Sequence, residues 1–122
     1  MSDTNPLYAW VQSFPGMVSV CDPDGVILAM NDAAIRAFEK RGGAKLIGQN
    51  MLDCHPGKSR EQFVELLRNP RVNVYTTEKN GVHKIVYQCP WHRDGKYAGL
   101  MEIVAEIPTQ MPHFVRSEQP KE

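Results

Sequence analysis

The tripeptide Cys54-His55-Pro56 sets a thiol and an imidazole side by side just ahead of a segment with helical character. A cysteine activated by a histidine base is a nucleophile. Adjacent side chains rarely face one another, however, and no second acid-base constellation or glycine-rich oxyanion loop accompanies the pair, so the chain reads as non-enzymatic. A zinc site would have to join Cys54 or His55 to Cys89-Pro90-Trp91-His92, whose Cys-x-x-His spacing can chelate. The paired chelating motifs of zinc modules are absent. A haem site would use His55 or a cysteine as axial ligand, with the Cys89-Pro90 dipeptide or His83 as alternatives. The plainer reading is that residues 53–57 shape the start of a helix. Pro56 biases His55 toward extended backbone, the imidazole bonds to nearby main chain, and Cys54 packs as a small hydrophobe.

These residues need elements to hold them. Leu7, Trp10, Val11 and Phe14 recur at helical spacing and form one apolar face, which Pro15-Gly16 ends. Residues 17–21 and 26–30 read as strands around the tight turn Asp22-Pro23-Asp24-Gly25. Asn31 can cap a helix whose stripe is Ala34, Ile35 and Phe38 and which Gly42-Gly43 stops. Residues 44–47 fit one further helical turn. Ser59 and Gln62 have the spacing of a capping box, followed by Phe63, Val64, Leu66 and Leu67 as a buried face before Pro70. Strands follow at 72–78, 82–88 and 97–106, joined by Asn80-Gly81 and Asp94-Gly95 turn signals. In the last strand Gly99, Met101, Ile103 and Ala105 share a dry face, while Glu102 and Glu106 share a solvated one. The methionines at 17, 30, 51 and 101 suit either a core or an adaptable pocket.

Composition bounds the function. The 122 residues carry 14 Lys+Arg against 14 Asp+Glu, a zero formal charge that offers no electrostatic footprint for nucleic acid or anionic lipid. Hydrophobic residues at 42% and charged residues at 23% suit one soluble domain. No apolar run reaches bilayer length and no signal-peptide pattern opens the chain, so the expectation is a cytoplasmic protein. Three cysteines without a secreted framework are expected as free thiols.

The ordered motifs resemble a family. The stretch FPGMVSVCDPDGVILAMNDAAIRAF, then LIGQNMLDCHP, then YAGLMEIVAEI is similar to the PAS domain, with the turn at Asp22, the helix opened by Asn31, the Leu46-Ile47-Gly48 turn and Gly99 as matching elements. The resemblance spans residues 7–107 and extends to a subgroup with a Cys-His-Pro loop before the long helix. It implies an α+β fold, a five-stranded antiparallel sheet with helices packed on one face, enclosing a pocket for haem, flavin or a metabolite. The implied division is a helical cap at 1–16, a sensor domain at 17–107 and a flexible tail at 108–122. The ligand-contacting residues expected on this basis are Asn31, Cys54, His55, Phe63, Ile85, Tyr87 and Met101, with His55 as the candidate metal ligand. Leu7, Trp10, Val11 and Phe14 are the expected homodimer contacts, although the same face can fold back on its own domain.

The implied function is small-molecule sensing and protein interaction in bacterial or archaeal signal transduction. The output is expected to lie in a downstream signalling protein or in a segment outside these residues. A haem- or metal-based redox or gas sensor is the alternative, and a ligand-free homodimerisation module is the third reading.

Overall fold

The structure is a computed structural model that describes residues 6–118. Helix α1 is Pro6–Ser13, followed by β1 at Met17–Cys21, β2 at Ile27–Met30 and α2 at Asp32–Ala37. Short 3-10 segments cover Glu39–Arg41, Gly43–Leu46 and Met51–Cys54. Helix α3, Gly57–Arg68, then leads to β3 at Asn73–Lys79, β4 at Val82–Arg93 and β5 at Lys96–Ile107. The strands form one five-stranded sheet in the order β2-β1-β5-β4-β3, with antiparallel pairing throughout. The architecture is the α+β arrangement expected from the sequence.

Local chemistry fixes the register. Asn80 and Gly81 have φ of 53° and 82°, and Asp94 and Gly95 have φ of 53° and 77°. Positive φ at both central residues is the two-residue turn that matches strand twist. These turns lock Lys79 opposite Val82 and Arg93 opposite Lys96. In the first hairpin, the Asp22 carboxylate accepts from the backbone N–H groups of Asp24 and Val26, both at 2.9 Å.

Two apolar clusters make the core. Ile27, Met30, Ala34 and Leu46 pack between the first hairpin and α2, while Cys21, Phe63, Leu66, Leu67 and Leu100 fix α3 to β1 and β5. Met51 touches both clusters, joining them. Full burial of side chains such as Phe63 and Leu66 stabilises the fold by roughly 1.5–3 kcal/mol each.

Several boundaries differ from expectation. Helix α3 begins at Gly57 with Pro56 at its N-cap position and no side-chain cap, so Ser59 and Gln62 do not form a capping box. Pro56, extended at φ −82° and ψ 153°, takes the cap position three residues ahead of Ser59. Strand β4 continues through Cys89-Pro90-Trp91-His92, which the sequence suggests is loop. Pro90 is tolerated there because β3 pairs with β4 only as far as Gln88, leaving Pro90 no partner on that side for the N–H it lacks. No helix among the described residues is long and apolar enough to cross a membrane.

Candidate ligand cavity

The cavity starts from a row of residues across the sheet. Ser19 on β1 lies opposite Glu102 on β5, Glu102 opposite Gln88 on β4, and Gln88 opposite Asn73 on β3. Alternation sends all four to the face covered by α3 and the 3-10 segments. Asn73 donates from Nδ2 to Gln88 Oε1 at 2.8 Å, and Gln88 donates from Nε2 to Glu102 Oε2 at 2.6 Å. The chain of amides thus runs towards the carboxylate. Gln88 is only 8% exposed, so its polarity is spent inside the fold.

Above this floor lies an inner chamber of about 320 Å³. Ile27, Met30, Leu46, Met51, Phe63 and Leu100 supply its apolar walls, and Ser19, Gln88 and Glu102 its polar floor. A wider mouth of about 770 Å³ opens between α3 and β3, bordered by Arg71, Asn73 and Tyr75. His55, Ser59, Phe63, Gln88 and Glu102 border both spaces and mark where they meet. The carboxylate of Glu102 acts on this interior. The Cys21 thiol is pushed up to about 11, first by burial and in lesser part by the charges of Asp22 and Glu102. Tyr75 is raised by burial and then by Glu102.

The Cys54-His55-Pro56 segment is held at one edge of the junction between the two spaces. Asn50 caps the Met51–Cys54 segment by accepting from Leu52 N–H at 2.9 Å and donates to Asp24 O at 2.9 Å, tying the segment to the first hairpin. The Arg60 guanidinium donates to Leu52 O at 2.9 Å from α3. His55 Nδ1 lies 2.7 Å from Met51 O. A carbonyl only accepts, so Nδ1 carries a proton that this bond uses. The imidazole stacks on Phe63 with centroids 5.6 Å apart and planes 15° apart. The side chain of Cys54 lies outside the described residues.

The other expected site residues are placed as follows. Phe63 lines the cavity beside His55. Met101 borders it, but alternation along β5 turns its side chain to the opposite sheet face. Ile85 and Tyr87 share that opposite face and do not line the cavity, because α3 covers the parity of Val86 and Gln88. Asn31 does not line it either. It is 2% exposed and serves as a junction: Oδ1 accepts from Val18 N–H at 2.9 Å and Ala34 N–H at 3.0 Å, while Nδ2 donates to Val11 O at 3.0 Å and Gly16 O at 2.9 Å. One buried amide therefore joins α1, β1 and α2.

Along α1, Trp10 is exposed, Val11 and Phe14 are half-buried, and the side chain of Leu7 lies outside the described residues. Glu102 is moved from the expected solvated face to the cavity floor. Together with Ser19, Gln88 and Asn73 it is the part of the site that sequence reasoning missed. The register imposed by the two Gly-containing turns is the signal that aligns Asn73, Gln88 and Glu102.

The metal readings meet this geometry unevenly. Cys89 and His92 are spread along a strand, about 10 Å apart at the usual rise, and do not form a chelate. Among the described residues no group of three His, Cys, Asp or Glu side chains gathers to hold a metal ion. The Nδ1 of His55 is held by the Met51 carbonyl, as the non-ligating nitrogen of a metal-bound imidazole commonly is. The space fits less well than the donor. A haem macrocycle exceeds the inner chamber and would have to straddle both spaces across Gln88 and Glu102.

The sheet order, the α3-covered cavity and the first hairpin together define a sensor-type α+β module. The PAS family model, described as a PAS fold, matches residues 7–96, and the chain belongs to the PAS family. Solved structures agree on the fold. The PAS domain of BvgS from Bordetella pertussis aligns with a TM-score of 0.62 at 20% identity, covering 85% of this chain and 85% of that chain. The Aer2 receptor from Vibrio cholerae, described as a dual PAS-heme oxygen sensor, aligns at 0.57 with 18% identity, covering 80% of this chain and 99% of that chain. A sensory box sensor histidine kinase from Vibrio cholerae aligns at 0.57 with 17% identity, covering 85% and 90% respectively. A search of curated proteins finds no match. PAS domains are sensor modules of signal-transduction proteins.

Proposed function

We propose that this PAS domain is a small-ligand sensing and protein-interaction module that signals by altered packing, with its output in another protein or in a segment outside these residues. The observation that carries this reading is the cavity with apolar walls and a polar floor built around the buried Gln88, the usual composition of a small-molecule site. A chamber of about 320 Å³ lies at the small end of such sites, which suits a metabolite. The route outward is short. The cavity wall at Met30 adjoins Asn31, and Asn31 holds α1 through Val11 and Gly16. A ligand that shifts the Ile27–Met30 strand would thereby change how α1 sits, and α1, with Trp10 exposed, is the proposed homodimer contact. We place the protein in the cytoplasm, where the buried thiol of Cys21 and the half-buried Cys89 remain reduced.

Native mass spectrometry of the protein isolated from cell extract tests the reading. An adduct of small mass that is released on denaturation, and absent from a Ser19→Leu variant whose chamber is filled, is the expected result. A bare chain from extract, together with a Ser19→Leu variant that is more stable and equally able to signal, would remove the ligand.

A second reading, a haem-based sensor, is favoured by the His55–Met51 hydrogen bond alone. It predicts a Soret band on adding haem that disappears in His55→Ala. No uptake, or uptake unchanged by that substitution, would end it.

A further inference from the structure

The chemistry of the cavity specifies more than a small ligand, and this step rests on the reading of the cavity as the ligand site. The charged group on the chamber floor is an acceptor, Glu102. Glu102 holds a carboxylate on the floor and receives one hydrogen bond from Gln88, whose own carbonyl is occupied by Asn73. The side-chain ion pairs among the described residues are Arg71–Glu65 and His83–Glu78, so Glu102 is compensated by an amide and not by a cation. His55 commits its Nδ1–H to Met51 O, so that donor is already used, and the ring borders the chamber. Ser19, directly across from Glu102, adds a hydroxyl that can accept as well as donate. Arg41 also borders the chamber, but it is exposed at the end of the Glu39–Arg41 turn, where solvent screens it.

A partly buried carboxylate without a cationic partner is costly, and a charge-assisted N–H donor offsets that cost best. The remaining walls are aliphatic, sulfur-bearing and aromatic side chains, with the Ser59 hydroxyl beside His55 where the chamber meets the mouth. We infer that the ligand is a small organic cation, a protonated amine on a compact apolar body, whose ammonium group binds Glu102 between Ser19 and His55. Glu102 also adds, after burial, to the raised positions of Cys21 and Tyr75 on either side of it.

Matched probes test this on the full chain. Calorimetric titration compares 2-phenylethylamine, 2-phenylethanol and phenylacetate, and the same three head groups on benzyl and indolyl-ethyl bodies. The expected result is that, for at least one body, the amine binds about tenfold or more tighter than its alcohol and its acid. That preference is lost in Glu102→Gln, and the Gln88 side-chain amide resonances shift only with the amine. The wild-type comparison stands alone if Glu102→Gln does not fold. Binding of an alcohol or acid as tight as that of its amine overturns the inference while leaving the cavity a ligand site. Absence of binding by every probe, with Gln88 resonances unmoved, overturns the inference, and an adduct from cell extract would then still stand for the cavity.

Discussion

At the scale of single residues, the most informative side chain is Asn31. An asparagine before a helix is legible as a cap, and it does cap α2 through Ala34. Its second role is not legible, because Val11 and Gly16 lie 20 and 15 residues away in sequence. Replacing Asn31 by Ala strands several buried backbone groups, and a loss of about 2–4 kcal/mol in urea unfolding is expected. Asn31→Asp keeps both accepting contacts but faces the Val11 and Gly16 carbonyls with a carboxylate. It should free α1, seen as faster amide exchange there while α2 stays protected. Equal protection of α1 would remove Asn31 from the outward route.

Cys21 gives a pH prediction at the same scale. Its thiol is raised from 9.0 to about 11 in the fold, so the unfolded chain loses its proton first as pH rises. Stability contributed by the buried neutral thiol is complete below pH 9 and declines between pH 9 and about 11, by on the order of 1–2 kcal/mol. Tyr75 and Tyr97 are also raised and add to any alkaline loss, so the test is a difference. Cys21→Ala should be less stable at neutral pH yet show a shallower decline across that window. An unchanged slope would place the loss elsewhere.

At the scale of elements, the strands and turns were legible and the faces of the sheet were not. Asn80-Gly81 and Asp94-Gly95 specify their hairpins because few residues accept positive φ at both turn positions. Alternation in β5 misled, since Met101, Ile103 and Ala105 look like a core face and Glu102 like a wet one. The cavity reverses that pattern by placing Ser19, Gln88 and Glu102 under cover, and functional interiors are where hydrophobic patterning gives way. The same strand carries Gly99 at φ 136°, where a Cβ would come within 1.9 Å of the Cys21 carbonyl oxygen. That oxygen also accepts from the Trp91 indole N–H at 3.0 Å. Gly99→Ala must therefore push β5 off β1, and a loss above about 3 kcal/mol is expected, read as a large fall in thermal midpoint. A variant of wild-type stability would show that the β1–β5 approach is not as tight as described.

At the scale of the whole molecule, the module has a covered side, with α3 over the cavity, and an open one, the sheet face of Val18, Val20, Ile85, Tyr87 and Ile103, while α1 packs near α2. Trp10 is 63% exposed on α1, so its removal should change intrinsic stability by no more than about 0.5 kcal/mol. If α1 is the pairing contact, light scattering reports twice the chain mass for the native protein and a single mass for Trp10→Ala. A single mass for both would leave signalling by this module to a different partner.

The central claim is that the chamber over Ser19, Gln88 and Glu102 takes a small molecule and passes its presence to α1. Assigned amide spectra, recorded while the adduct released from cell extract is added back, test it most directly. The account predicts shifts at Ser19, His55, Phe63, Gln88 and Glu102, with a second set at Asn31 and Val11, and none of either in Ser19→Leu. Shifts confined to the open sheet face, or persisting in the filled variant, would contradict it.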